Sequence, residues 1–257
     1  MPSTSDDEPQ ASGATPAALG GHAARHRGAN SEDPRLFSAA KVSILREAVA
    51  DLSWLMERGY AATSAVTIVG DRYSLHARQR MAVARASCGE SSLSKRAGSV
   101  VAAEALAGQP LLIDGFNLLI SIESALSGGV ILQCRDGCFR DIASVHGSYR
   151  SVEETDRALA LIGEKLNRLG PAQVIWVLDQ PVSNSGRLRA RMIDTAEENG
   201  WNGNVELAMS PDKVLMTSSD IAVTSDSTIL DNAERWTNIA ASIIEEMPGD
   251  PWIVDLR

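Results

Sequence analysis

The chain has 257 residues, of which 44% are hydrophobic and 22% charged, and a formal net charge of −9. That composition supplies enough apolar surface for a buried core, which excludes a fibrous chain or one disordered throughout, and the length suits two domains better than one. No apolar run approaches the roughly 20 residues that cross a bilayer, and the opening MPSTSDDEPQ lacks the basic-then-apolar order of a secretory signal, so a cytoplasmic protein with no membrane contact is expected.

Residues 1–34 are rich in Ser, Ala, Gly, Pro and Asp without an apolar period, and read as a disordered tail. From Arg35 onward Ala40, Ile44, Ala48, Leu52 and Leu55 recur at spacings of three and four, which predicts an amphipathic helix stopped by Gly59. A brief second helix from Thr63-Ser64 runs through Val66 and Val69. A third spans Leu75 to about Ser87 with Ser74 as its cap, and a fourth spans about 94–106, ended by Gly108 and Pro110. Residues 35–107 thus form a small all-α module. Residues 35–100 carry 10 basic and 5 acidic groups, against 12 and 23 over 101–257, so a basic module adjoins an acidic domain. Arg78 and Arg85 lie seven apart on one helix face and could grip phosphates through their planar guanidinium forks. A solvated face or an interdomain contact is the plainer reading.

Beyond Pro110 the order reads strand (111–113), helix (117–126), strand-like turn region (130–142), helix (153–169), strand (173–178), helix (186–199), strand (204–208), helix or turn (211–217), strand (221–225) and a last helix (229–246). Strands alternating with helices predict an α/β domain over 108–257, three-layered, with a central mostly parallel sheet. Three of its apolar runs end in or run into an aspartate: Leu111-Leu112-Ile113-Asp114, Val174 to Asp179, and Ile221 to Asp226. The carboxyl ends of parallel strands form one rim, so these acids are expected to converge on a ligand crevice. Crowded carboxylates repel and take up protons unless a cation sits among them, which points to a divalent metal.

In Ile113-Asp114-Gly115-Phe116-Asn117 the glycine allows a tight turn off the strand, placing an acid and an amide together; capping of the next helix is the structural alternative. Phe116 stands where a haloacid-dehalogenase-type phosphatase has its second aspartate, no G-x-G-x-x-G follows a strand, and no serine sits in a G-x-S-x-G elbow. Cys134 and Cys138 could join His146 around zinc, although buried free cysteines are the commoner case.

The runs LLIDGFNLLI, VIWVLDQPVSNSG, MSPDKVL and IAVTSDS, in this order, resemble a PIN-like or NYN-like domain of the metal-dependent nuclease superfamily. With the upstream segment GYAATSAVTIVGDRYSLHARQR they resemble, over about residues 35–245, the family known as domain of unknown function 434. The resemblance implies a Mg²⁺- or Mn²⁺-dependent nuclease cutting RNA, single-stranded or structured, with Asp114, Asp179, Asp212 and Asp226 as catalytic metal-holding acids and Asn117 beside the first. It leaves a homodimer open. No glutamate is an obvious second acid apart from Glu123, so Asp136 or Asp141 stands as a replacement ligand with Arg135 as a phosphate clamp, unless Asp136-Gly137 is an ordinary hairpin turn. Ser183 and Asn184 could meet phosphate at a helix start, or simply cap it. A non-catalytic RNA-binding or regulatory module, or an adaptor, is the alternative; a shared ion would need at least three of the four acids close together.

Overall fold

The computed structural model describes residues 26–143 and 147–257. Helices come first: α1 (Asp33–Leu36), α2 (Ala39–Glu57), α3 (Ala62–Arg72), α4 (Ala77–Ala86) and α5 (Glu90–Ser99), then a short 3₁₀ turn (Ala103–Ala105). The apolar period of α2 does what it predicts, burying Leu45, Ala48, Val49 and Leu52 on one face. The start of α4 differs from expectation. His76 is its cap, its N–H donating to Gln79 Oε1 at 3.0 Å, while Ser74 takes a left-handed φ of 49° in the preceding turn.

The second region runs β1 (Pro110–Asp114), α6 (Gly115–Leu126), β2 (Ile131–Gln133), β3 (Phe139–Asp141), α7 (Thr155–Leu169), β4 (Gln173–Asp179), α8 (Ser185–Asn199), β5 (Asn204–Ala208), α9 (Pro211–Thr217), β6 (Ile221–Val223), α10 (Ser227–Leu230), β7 (Trp236–Thr237), α11 (Ile239–Glu246) and β8 (Ile253–Asp255). Five strands pair in the order β5-β4-β1-β6-β7, every pair parallel, with helices on both sides. The strands are continuously apolar because both faces are covered. Leu111, Ile113, Trp176, Leu178 and Val223 pack with residues of α6, α7, α8 and α11, whereas Leu112, Val177 and Ala222 pack with Leu215, Ile229, Leu230 and Trp236.

The chain steps outward from β1 to β4 and β5, then returns to the other side of β1 for β6 and β7. Connections leaving β1 and β6 therefore diverge, and a crevice opens between their carboxyl ends, where open α/β sheets bind ligands. Gly115 lets α6 begin directly off β1. A Cβ there would lie 2.5 Å from Leu178 Cδ2 and 3.1 Å from the Val177 carbonyl oxygen.

Several expectations are corrected. The last helix, expected over 229–246, is interrupted, because Trp236 is buried, donates its indole N–H to the Arg96 carbonyl at 3.0 Å and joins the sheet as β7. The strand-like turn expected over 130–142 is present as a hairpin of β2 and β3 turning at Gly137 (φ 80°), but β8, which no sequence pattern announced, pairs with β2 to complete a second sheet. Leu132, Ile142, Val254 and Leu256 of this sheet share one apolar cluster with Leu45, Leu52, Val69 and Val83. Residues 26–34, expected within the tail, are tied to the molecule at Arg27 and Asp33, although most of them are exposed. Arg27 donates from Nε to the buried Glu123 at 2.8 Å, and Asp33, 1% exposed, takes both Arg78 Nε and Nη2 at 2.5 and 2.8 Å. Ion pairs hold this segment, which is why no apolar period marked it. The remainder of the expected tail, residues 1–25, lies outside the described residues.

Gly163 of α7 makes room for Trp201. A Cβ at that position would meet the indole ring at 2.1 to 2.4 Å. Gly163→Ala is expected to destabilise by about 1–3 kcal/mol through overpacking, despite alanine's better helix propensity, and a lower urea midpoint with an unchanged slope checks it.

Candidate functional site

Asp114, the last residue of β1, is 8% exposed and does not itself line the crevice, to which it is joined through Asn117. Its Oδ1 accepts the Asn117 N–H at 3.4 Å, so the capping alternative is realised, and its Oδ2 accepts the Thr224 hydroxyl at 2.9 Å. Thr224 Oγ1 also accepts the Asp226 N–H at 3.0 Å, and Asn117 Oδ1 accepts both the N–H and the hydroxyl of Ser225, at 2.9 and 3.0 Å. The Thr224-Ser225-Asp226 turn after β6 is thereby clamped to the end of β1, across the point where the connections diverge.

Asp179 ends β4 and lines the crevice with Asp226, Asn117 and Ser225; the space measures about 390 Å³. Asp226 caps α10, its Oδ1 accepting the Thr228 and Ile229 N–H groups at 2.8 and 3.2 Å. Asp212 sits in the first turn of α9 behind Pro211. The four are electrostatic neighbours. Burial pushes the Asp114 pKa up from 3.8 to about 7, with Asp226 and Asp212 adding to the rise against the hydrogen bonds from Thr224 and Asn117. Burial and then Asp212 raise Asp179, and burial and then Asp226 raise Asp212.

No arginine or lysine among the described residues pairs with these acids to offset the repulsion. Elsewhere the buried acids are each met by a guanidinium: Asp33 by Arg78, Glu123 by Arg27, Asp136 by Arg96 and Arg140, and Asp141 by Arg85. Arg85 and Arg140 also line the crevice, each already beside an acid, Arg85 with Asp141 and Arg140 with Asp136.

The expectation that three of the acids share one ion is not met. Among the described residues no group of three or more histidine, cysteine, aspartate or glutamate side chains is drawn together closely enough to hold a metal. Oxygen donors free of arginine nevertheless suit Mg²⁺ or Mn²⁺, since Mg²⁺ keeps several waters and takes one or two carboxylates with substrate phosphate rather than an all-protein cage. On donor chemistry the residues fit; as a ready-made cup they do not.

The other expected site residues fall in three places. Arg85 reaches the crevice, although its Nη1 bonds the Asp141 carbonyl and lies 3.4 Å from Asp141 Oδ1, while Nη2 bonds the Ala143 carbonyl at 3.2 Å. Arg78 does not; it is consumed by Asp33 and the Gly28 and Ile142 carbonyls. Asp136 is no crevice ligand either. Burial alone would raise its pKa, but Arg140 and Arg96, at 2.5 to 2.8 Å, outweigh that and hold it below the usual carboxylate value. Arg135 points elsewhere too, bonding the Cys88 carbonyl and Glu90 Oε2 at 2.7 and 2.6 Å. Of the two replacement acids it is Asp141 that lines the crevice, held by the Ser121 hydroxyl at 2.8 Å and by Arg85. Glu123 is sealed in the core by Tyr149, Thr155 and Arg27. Ser183 pairs with Ser148 in a backbone bridge, and Asn184 begins α8 with its amide donating to the Tyr149 carbonyl at 2.8 Å, so neither lines the crevice. Cys134 and Cys138 are buried free thiols, their pKa values raised chiefly by burial; His146 lies outside the described residues.

The family model described as a domain of unknown function, DUF5616, matches residues 103–242, more than half of the 257-residue chain. The chain belongs to the DUF5616 family. A second model, described as a protein of unknown function, DUF434, matches residues 44–98. The likeness to domain 434, expected over 35–245, therefore concerns the helical region, and Asp114, Asp179, Asp212 and Asp226, of which Asp179 and Asp226 line the crevice, all lie in the DUF5616 segment. The uncharacterised protein MJ0935 of Methanocaldococcus jannaschii is 29% identical over 203 residues, covering 78% of this chain and 97% of that protein. No solved structure matches.

Thr224 and Arg140 are site residues of this DUF5616 member that its sequence pattern did not single out. A hydroxyl two residues before an expected ligand is a turn signature that could have flagged Thr224. Nothing local marks Arg140, whose Nε reaches the Ser225 carbonyl at 2.7 Å from a different sheet.

Proposed function

We propose that the chain is a Mg²⁺- or Mn²⁺-dependent phosphodiesterase of PIN-like type acting on RNA. The observation that carries this reading is Asp114, the one buried acid among the described residues that no arginine or lysine meets, at the carboxyl rim of a parallel sheet beside the unpaired Asp212 and Asp226. Asp114, Asp179, Asp212 and Asp226 are the residues to hold the ion. When bound, such an ion lowers the pKa of water and neutralises charge developing on phosphate oxygens. Thr224 fixes the orientation of Asp114, and Asn117 fixes Ser225, leaving the Asn117 amide nitrogen without a partner among the described residues and available to a phosphate oxygen. Arg85 also lines the crevice, its charge shared with Asp141, and is a cation that a phosphate entering there would meet.

The test is turnover of single-stranded RNA by the pure protein with Mn²⁺, beside Asp114→Asn and an EDTA control. Cleavage by the wild-type chain that is lost in both controls is the expected result. Equal turnover by variant and wild type reveals a contaminant and overturns the reading, as does no turnover by either across a broad panel of substrates. One observation favours the second reading, a non-catalytic RNA-binding or regulatory module: the absence of a three-acid group among the described residues. RNA binding without turnover is its signature.

A further inference from the structure

Next to the aspartate crevice lies a pocket of opposite charge. Arg150, Arg187 and Arg191 line it with Ser151 and Asn184, around an open space of about 500 Å³, and no carboxylate contributes to its wall. Arg191 is held by the exposed Asp156 at 2.6 and 2.7 Å. The guanidiniums of Arg150 and Arg187 have no hydrogen-bond or ion-pair partner among the described residues. Both are exposed, as is the likewise unpaired Arg157, whereas Arg27, Arg78, Arg80, Arg85, Arg96 and Arg140 are all tied to acids or carbonyls. Two unpaired like charges in one concavity repel, and an anion between them relieves the repulsion.

The backbone holds this pocket in a fixed relation to the crevice. Val182 lines the crevice and Asn184 lines the pocket, so one short segment after Asp179 forms the ridge between them. The Tyr149 N–H donates to the Ser183 carbonyl, and the Ser183 N–H to the Gly147 carbonyl, both at 3.1 Å, which seats Arg150 against the start of α8. Asn184, in the left-handed region with φ 71°, turns the chain into α8 so that Arg187 falls in its first turn and Arg191 one turn later on the same face. Asn184 lies five positions after Asp179, a reach of at most about 18 Å.

We infer that the Arg150/Arg187/Arg191 pocket binds a backbone phosphate of single-stranded RNA whose neighbouring nucleotides occupy the aspartate crevice. This rests on the nuclease reading for the identity of the strand. Guanidinium forks match the paired oxygens of a phosphodiester and carry no base preference, so the pocket anchors the strand irrespective of sequence. The acids and the arginines divide the labour: one site takes the phosphate that meets the ion, the other a phosphate further along the chain.

The experiment measures binding of a fluorescein-labelled oligouridylate by anisotropy, with EDTA present so that nothing turns over, for the wild-type chain and for Arg150→Gln/Arg187→Gln. The double variant is expected to bind roughly tenfold more weakly, and its slope of log affinity against log salt is expected to fall by about 0.7, the contribution of the one phosphate no longer neutralised. Arg150→Lys/Arg187→Lys keeps the charges and is expected to retain the salt slope, which separates the removal of positive charge from damaged folding. Wild-type affinity and slope in the glutamine variant overturn the inference, as does an equal loss in the lysine variant. Asp114→Asn keeps the arginine pocket intact and is expected to retain the slope while losing cleavage. Should it cleave as the wild type does, the nuclease reading falls while the binding comparison still decides the pocket.

Discussion

Asp114→Asn is expected to lose about 10³-fold in Mn²⁺-dependent cleavage and, at pH 8 in EDTA, to be more stable than the wild-type chain. The activity term follows from removing a charge that holds the ion, worth several kcal/mol in the transition state at 1.36 kcal/mol per tenfold. The stability term follows from burial. Asp114 titrates near 7 in the folded chain against 3.8 for an unperturbed carboxyl, because it lies in the core beside Asp226 and Asp212. Its folded pKa is the higher one, so between about pH 4 and pH 7 the folded state binds more protons than the unfolded state. Stability due to this group falls as pH rises through that window and is level above it. The whole fall is about 4 kcal/mol, reduced in the comparison by about 1 kcal/mol for the Thr224 hydrogen bond that asparagine must remake. Urea midpoints across pH 4 to 8 read the difference directly. The variant is expected to be about 1 kcal/mol less stable near pH 4 and to become progressively the more stable of the two toward pH 8, with Mn²⁺ closing the gap by stabilising the wild type alone. A variant less stable than wild type at pH 8 would show that Asp114 is neither buried nor crowded as described.

Asp136→Asn is expected to destabilise the fold by about 3–5 kcal/mol, the usual consequence of breaking a buried charge cluster from one side. Asp136 stands between Arg96 and Arg140, whose side chains are 3% and 8% exposed, and it accepts from Nη1 of Arg96 and from both Nη1 and Nη2 of Arg140. Arg96 comes from α5, Arg140 from β3, and Arg96 also holds Asp231 after α10 at 2.8 and 2.9 Å, so the cluster ties the helical region to both sheets. Without the central charge two guanidiniums face one another in the core. The measurement is a denaturant titration with an unchanged slope, alongside Mn²⁺ affinity. A stable variant with weakened Mn²⁺ binding would restore Asp136 to the metal role that its sequence context suggested.

Residues adjacent in the chain explain most of what the sequence made legible. The period of α2, the alternation of strands and helices, and the aspartates ending β1 and β4 are local patterns, and each gave the correct element type. What failed was non-local. The helix expected over 229–246 is consistent with its own residues, but Trp236 is pulled into the sheet by partners at Arg96 and Ala222, far away in sequence. Segment 26–34 has no apolar period at all and is held by Arg27 and Arg78 reaching across the molecule.

The candidate site divides along the same line. The chain by itself determined which acids sit at strand ends, because an apolar run closing on aspartate is readable without any partner. It could not determine which of its arginines and aspartates neutralise each other, since Arg78, Arg85, Arg135 and Asp136 look as available as Asp179 or Arg187 until their neighbours are known. Ion pairing depends on distances of a few ångströms between residues dozens of positions apart, and only tertiary packing sets those distances. That packing is what left Asp114 buried without a counter-charge on one side of a ridge and Arg150 and Arg187 without acids on the other.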